Sequence, residues 1–277
     1  MERSVEGHPR ARHLEDCSRV GEKMAQPKKK KAPPRNAPPR ISSPAAPPVA
    51  TPLPAELLTS PATFGARLAR ANTVAWQYWP APVVAALLAG LAYALLMRPG
   101  LNLAAAEALK AAGESGALAP TVLSHIANAF GTFFLTTLTF LTMWGLGRVG
   151  IRSPHAKVAE VYSATFTLLV PLFLLVILLI LLTPASAWAL SPAEISAAKG
   201  QLVDLQRAAL HVAARTPAAL AFVGVTLLGT LAQFALAYPV LKATAGSRAV
   251  AVRGVLLPLL PALLIQFLGV APLIFAR

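Results

Sequence analysis

Long stretches without any Asp, Glu, Lys or Arg recur five times along the chain, and hydrophobic residues dominate each of them. Because a bilayer core about 30 Å thick is crossed by about 20 apolar residues of α-helix, stretches of this length indicate membrane spans. The first stretch is short, but the rings of Trp76, Tyr78 and Trp79, which suit the headgroup level, extend it backwards. The pattern predicts five transmembrane helices over about 75–97, 126–147, 161–182, 217–241 and 255–275.

Composition supports lipid as the solvent for this part of the chain. The 277 residues are 56% hydrophobic and 13% charged, whereas soluble domains carry roughly a quarter charged residues. The only cysteine is Cys17, which excludes an internal disulfide and a cysteine-based metal cluster. The predicted fold class is therefore all-α, an integral membrane bundle of five transmembrane helices with a disordered N-terminal tail.

Residues 1–59 form the predicted tail, and residues 60–277 the membrane domain. The tail is rich in Pro, Lys and Arg and has few large apolar residues, so it cannot bury enough surface to offset the entropy of ordering. A secretory signal peptide is not predicted, because its basic segment would be followed by an apolar segment with a cleavage site. In this chain, prolines follow the four lysines Lys28, Lys29, Lys30 and Lys31. We also expect the mature chain to begin at Met24, because Val20–Lys23 needs purine-rich codons typical of a ribosome-binding site. An intact mass that includes Glu2 would contradict this.

The charges between the spans predict the orientation. Short cytoplasmic loops are enriched in Lys and Arg. The links after the second and fourth spans are basic, with Arg148, Arg152 and Lys157 in one and Lys242, Arg248 and Arg253 in the other. The longer links after the first and third spans are nearly neutral. We therefore predict a cytoplasmic N-terminus and an external C-terminus.

Two further helices are predicted outside the spans. Ser60-Pro61 resembles an N-cap followed by a first helical residue, and Phe64 and Leu68 then share one face, which favours either an interfacial helix on the cytoplasmic leaflet or an extension of the first span. Ser191 and Glu194 form a capping box before apolar residues at helical spacing, which predicts an external amphipathic helix over the bundle or at its outer surface.

Gly145-Leu146-Gly147-Arg148-Val149-Gly150 matches the dinucleotide-binding pattern G-x-G-x-x-G. That motif requires a preceding strand and a following helix in a βαβ unit, whereas this segment ends a hydrophobic helix. We therefore interpret it as a helix-terminating glycine turn.

Candidate polar contacts inside the spans are Asn128, Gln233 and Gln266, together with several threonines. Asn and Gln join membrane helices, and Thr bonds to the preceding turn, so a structural role is favoured and a polar permeation path is the alternative. The five histidines have no partner at metal-ligand spacing. Lys28, Lys29, Lys30 and Lys31 are candidate contacts for anionic lipid. No catalytic residue, cofactor or metal site is predicted, and no nucleic-acid partner is expected without a folded basic domain.

The membrane part resembles a bacterial member of the Yip domain family, named for Ypt-interacting proteins, which implies a place in the cytoplasmic membrane of a bacterial cell. The resemblance rests on Ser60-Pro61-x-x-Phe64 before the first span, the basic glycine segment 147–150, the segment 159–164, and the Ala-Gly-Ser-Arg-Ala run at 245–249. It implies a five-helix, non-catalytic membrane protein, and its eukaryotic members are associated with Rab-type GTPases and vesicle traffic. The chain lacks the Asp-Leu-Tyr-Gly-Pro motif of some of those members, so GTPase binding is not carried over.

These observations lead to one expected function and one alternative. We expect a non-enzymatic membrane adaptor or organiser that contacts the lipid bilayer and a protein partner, either in the membrane or in the cytoplasm. The alternative is a small transporter or channel component, which requires Asn128, Gln233, Gln266 and the threonines to converge on one axis.

Overall fold

The computed structural model describes residues 50–112, 122–189 and 202–277 and contains no strand within them. Five segments are long and apolar enough to cross a membrane: Ala75–Ala106, Val122–Ile151, Val158–Leu182, Pro217–Ala245 and Arg248–Phe275. The all-α prediction with five spans is confirmed. Met24, Lys28, Lys29, Lys30, Lys31 and the Ser191 capping box lie outside the described residues.

The α-helices of the described residues are numbered in chain order. They are α1 (Glu56–Thr59), α2 (Pro61–Arg70), α3 (Pro80–Ala112), α4 (Val122–Ile151), α5 (Val158–Thr165), α6 (Leu169–Leu182), α7 (Leu202–Ala214), α8 (Pro217–Ala245) and α9 (Arg248–Phe275).

The folded region begins before residue 60, which corrects the predicted boundary of the tail. Leu57 in α1 is fully buried. The Tyr78 hydroxyl donates to the carbonyl oxygen of Pro52 at 2.8 Å in a buried hydrogen bond. Residues 50–59 are thus anchored by contacts to the first span, which composition alone did not indicate.

The first span differs from its prediction at both ends. Residues Ala75–Gln77 form a 3-10 turn, and α3 begins at Pro80, whose fixed φ and missing N–H suit the first turn of a helix. At the other end the helix passes Met97 and continues through Pro99 to Ala112. A Cβ added at Gly100 would lie 2.7 Å from the Cα of Ala209 in α7. Packing against α7 therefore extends α3 beyond its apolar stretch.

The third span is divided near its only proline. α5 ends at Thr165, a 3-10 turn follows over Phe166–Leu168, and α6 begins at Leu169. Because Pro171 has no N–H to donate to the carbonyl one turn earlier, it interrupts regular α-helical bonding at this level. The span nevertheless remains continuously helical.

α4 and α9 run antiparallel and stay in close contact along most of their length. A Cβ at Gly150 would lie 2.7 Å from the Arg253 carbonyl oxygen, and one at Gly269 would lie 3.0 Å from Leu135. These two levels are fifteen residues apart on α4, or about 22 Å at 1.5 Å per residue. Small residues thus let the two spans approach closely, as they do at many membrane helix interfaces.

The predicted amphipathic helix after the third span is α7, and it packs on the bundle. Ala209, Val212 and Ala213 on its inner face are fully or almost fully buried. Gln206, two helical turns before Ala213 on the same side of α7, donates to the side-chain oxygen of Asn128 in α4 at 2.9 Å. Of the two predicted positions, the structure therefore adopts the one over the bundle.

Candidate functional site

The apolar face of α2 packs on protein, at the end of α8. Phe64, Gly65 and Leu68 are buried, and a Cβ added at Gly65 would lie 2.9 Å from the Cα of Val240 and 3.0 Å from the Cβ of Ala243. This corrects both predictions for the segment. α2 does not present its apolar face to the leaflet, and it is not an extension of the first span, because the chain is extended at Ala71.

Pro61 is the first residue of α2, as predicted, but Ser60 does not cap the helix with its side chain. Its hydroxyl instead donates to the Thr63 hydroxyl at 2.9 Å. The start of α2 is therefore defined by the proline, whose backbone geometry already matches the helix.

Lys157 holds the other end of α2. Its Nζ donates to the carbonyl oxygen of Leu68 at 2.7 Å and also to that of Ala71. The last carbonyls of a helix lack partners within the helix and carry partial negative charge, so an ammonium group stabilises them. Lys157 itself has a left-handed backbone with φ of 49°. The link between the second and third spans therefore caps a helix that lies about ninety residues earlier in the chain.

An ion pair joins α1 to α2. The Arg67 guanidinium donates to the Glu56 carboxylate, whose other oxygen accepts from the Leu53 N–H at 3.1 Å. Both side chains are about one-third exposed, so solvent screens the pair and its contribution is modest. The contact keeps the start of the folded region against α2.

A small polar pocket adjoins the Lys157 cap. Arg148, Ser153, Lys157 and Glu160 line it with Trp144, and its volume is about 270 Å³. Glu160 is 9% exposed and lies in the first turn of α5, where the helix dipole favours a carboxylate. Burial lowers the pKa of Lys157, and the nearby Glu160 carboxylate partly opposes that effect. We call the end of the bundle formed by α1, α2, the links 152–157 and 246–247, and the adjoining turns of α4, α5, α8 and α9 the basic end.

The glycine segment 145–150 also lies at the basic end, but within α4, which continues to Ile151. The interpretation as a helix-terminating turn is therefore wrong. A Cβ at Gly147 would lie 2.6 Å from the Tyr162 ring, and one at Gly150 would meet the backbone of Arg253. The glycines allow α5 and α9 to approach α4. A helix at this position is not the strand–turn–helix that binds a dinucleotide.

The three predicted polar contacts do not meet. Gln266 is buried, and its Nε2 donates to the Thr139 hydroxyl at 2.9 Å. Asn128 lies eleven residues from Thr139 along α4, or about 16 Å, and accepts from Gln206 near the opposite end of the bundle. Gln233 is fully buried in α8, and neither atom of its amide has a hydrogen-bond partner in the described part of the protein.

Most hydroxyls within the spans bond to their own helices. Each donates to the carbonyl oxygen three or four residues earlier at 2.7–2.9 Å, as seen for Thr136, Thr137, Thr139, Thr165, Thr226 and Thr230. Ser163 and Thr167 have buried hydroxyls without a partner among the described residues. The same residues include no group of three His, Cys, Asp or Glu arranged to hold a metal ion. The polar groups thus satisfy individual helices and helix pairs.

Comparison with models of known families, with curated proteins and with solved structures finds no match. The function must therefore be argued from the geometry described above.

Sequence reasoning missed the residues that organise the basic end. The sequence pattern assigns Lys157 and Arg253 only to membrane orientation, and Tyr162 only to the segment 159–164. In the structure, the Tyr162 hydroxyl donates to the Gly254 carbonyl oxygen at 2.6 Å in a buried bond. These contacts join residues about ninety positions apart. The only local signal was the unusual density of glycine and arginine between the second and third spans.

Proposed function

We propose that the protein is a non-enzymatic multi-pass membrane protein of a bacterial cytoplasmic membrane that acts as an adaptor or organiser. Its N-terminal tail, together with the basic end of the bundle, would contact a protein partner. The observation that carries this proposal is the docking of α2, which anchors the point where the tail leaves the membrane domain.

Docking of α2 supports an adaptor because it assigns attachment to the bundle and binding of a partner to different parts of the chain. The apolar face of α2 is occupied by α8, and its terminal carbonyls by Lys157. Membrane attachment therefore needs nothing from the tail. Residues 24–49 carry six basic residues and no acidic one, a charge that favours an acidic partner or an anionic leaflet.

The charge distribution supports a cytoplasmic position for the basic end. Eight basic residues of the described chain belong to this end, and two acidic ones, Glu56 and Glu160. The basic residues are Arg67, Arg70, Arg148, Arg152, Lys157, Lys242, Arg248 and Arg253. Such an excess in short links favours the cytoplasmic side. In a Cys17→Ser background, we expect a cysteine at Ser186 to react with an impermeant maleimide on intact cells and one at Ser247 to stay protected. The reverse pattern would contradict this orientation.

We also propose membership of the Yip domain family. Support comes from the position of the segments that resemble this family, which lie at or near the basic end of the bundle. Phe64 lies in α2 at the basic end, Gly147 contacts Tyr162, and Tyr162 bonds to Gly254, which lies two helical turns beyond the turn at 245–248. Segments far apart in sequence thus contribute to one end of the bundle.

A small transporter or channel component is the alternative, and one observation favours it. Gln233 presents a fully buried amide without a partner among the described residues, and the hydroxyls of Ser163 and Thr167 on the third span are in the same condition. The local pairing of Gln266, Asn128 and the threonines argues against a continuous polar path.

Affinity capture from gently solubilised membranes tests the adaptor proposal. We would compare the full chain, a chain without residues 24–49, and a chain in which Lys28, Lys29, Lys30 and Lys31 are alanine. A stoichiometric protein partner that is lost with the tail supports the proposal. If no protein depends on the tail and reconstituted protein carries a solute flux that Gln233→Met abolishes, the transporter alternative replaces it.

A further inference from the structure

A groove lies between α4 and α9 at the basic end, on the outside of the bundle. Its volume is about 650 Å³, and its walls are Val149, Gly150, Val252, Leu256 and Leu257, with Arg152 and Arg253. It exists because Gly150 brings the two helices together and lets the larger side chains beside it form walls. The groove is separate from the pocket beside Lys157.

The two arginines give the groove a charge without an internal counterion. Neither side chain forms an ion pair or hydrogen bond within the described residues, and no carboxylate lines the groove. Both side chains are exposed. Arginine presents a planar fork of donors that matches the oxygens of a phosphate group.

The apolar side of the groove continues along α9. Leu256, Leu260 and Leu264 are exposed and follow Arg253 at intervals of three to four residues, so they form one line on the helix surface. From Arg253 to Leu264 the helix rises about 16 Å. Half of a bilayer core about 30 Å thick is about 15 Å. The apolar line thus has the depth of one leaflet.

Arg152 occupies a backbone position that favours glycine. Its φ is 55°, and its N–H donates to the Arg148 carbonyl at 2.9 Å, so it is the left-handed residue that ends α4. A side chain there is strained, whereas glycine would not be. Backbone strain of this kind is found mainly at functional and ligand-binding sites.

We propose that this groove binds one anionic phospholipid. Arg152 and Arg253 would hold the phosphate, and the line Leu256, Leu260 and Leu264 would hold an acyl chain. A charged headgroup matches the two arginines of the groove, and a chain as long as a leaflet matches the apolar line that continues from it along α9. A membrane that contains anionic lipid supplies this ligand at high local concentration.

Lipid titration of the purified full chain, followed by native mass spectrometry, tests the site. The probe is phosphatidylglycerol, and phosphatidylcholine with the same chains is the reference. We expect the Arg152→Gln, Arg253→Gln double variant to bind phosphatidylglycerol about 30-fold more weakly, equivalent to about 2 kcal/mol for two basic contacts. The matched control is Arg70→Gln with Arg248→Gln, which removes the same charge from exposed positions at the same end, and it should bind as the wild type does.

A second variant separates lipid binding from folding. Arg152→Gly relieves the left-handed strain and removes one guanidinium. We expect it to raise thermal stability while it weakens phosphatidylglycerol binding about 5-fold, which is half of the double-variant effect on a logarithmic scale. The proposal is overturned if the control variant loses as much binding as the groove variant, if phosphatidylcholine binds equally well, or if inorganic phosphate displaces the lipid at equal concentration.

Discussion

Lys157 is the residue whose replacement tests the docking of α2 most directly. Lys157→Met keeps most of the aliphatic stem and removes the amine that bonds to Leu68 and Ala71. A hydrogen bond to a charged group contributes about 1.5–3 kcal/mol. Lys157 is partly exposed, so solvent reduces each bond to about 1 kcal/mol. We therefore expect docking to weaken by about 2 kcal/mol.

Hydrogen exchange of the α2 amides measures this change. Exchange reports the free energy of local opening, and about 2 kcal/mol corresponds to a roughly 30-fold higher exchange rate. The increase should be confined to α1 and α2, because Phe64 and Leu68 remain able to pack on α8 when the helix closes. Lys242→Met is the matched control, since Lys242 is an exposed lysine at the end of α8, and its effect should stay below about twofold.

Two results would refute the reasoning about Lys157. Unchanged exchange in α2 would mean that the cap does not stabilise docking. An equal increase in α5 and α6 would mean that the substitution destabilises the bundle as a whole. Gly65→Leu provides an independent route, because its side chain would collide with the backbone of Val240, and it should expose the same amides.

Three further predictions concern pH and packing. Burial lowers the pKa of Lys157 below its ordinary value of 10.5, so the undocked state binds more protons between the lowered pKa and 10.5. A neutral amine still has two N–H groups for the carbonyls of Leu68 and Ala71, so docking should strengthen as pH rises through that window, and a loss of α2 protection there would contradict this. Gln233→Met should leave the melting temperature unchanged or raise it, since an unpaired buried amide costs about 1–3 kcal/mol, and a clear drop would be contrary evidence. Gly150→Leu should lower stability by about 1–3 kcal/mol by separating α4 from α9, whereas Gly145→Leu, with nothing within 4 Å of its added Cβ, should not, as thermal unfolding in detergent would reveal.

The number of spans could be predicted because lipid imposes a simple rule on the sequence. A segment that crosses hydrocarbon must be long, helical and nearly free of charge. Each uncharged stretch therefore corresponds to one span in the structure. The start of α2 at Pro61 was also readable, since proline favours the first turn of a helix.

The ends of the spans could not be predicted in the same way. Arg98, Pro99 and Gly100 look like a break, yet α3 continues for a further twelve residues after Gly100. The helix is stabilised there by the close approach of Gly100 to Ala209 and by burial of Leu101. Tertiary packing of this kind overrides local propensity, and a single sequence does not record it.

The hydrogen-bond partners of the buried polar side chains could not be predicted from the sequence either. Gln206 is 78 residues from Asn128, and Gln266 is 127 residues from Thr139. Residue types alone suggested that amides join helices, but not which helices they join. The same limit affected the glycine segment 145–150, whose spacing fits a phosphate-binding turn, a helix end and a helix contact. Only the neighbouring Tyr162 and Arg253 distinguish these uses.

Docking on protein distinguishes α2 from an amphipathic helix that rests on lipid. An amphipathic helix that rested on lipid would couple the tail to the composition of the leaflet. Here the apolar face of α2 is buried on α8 and its end is capped by Lys157, so α2 is fixed on the protein. Under the adaptor proposal, the lysines of the tail would bind or release a partner without disturbing the bundle. Removal of residues 24–49 should therefore leave the melting temperature of the membrane domain unchanged, and a large decrease would show that the tail is part of the fold.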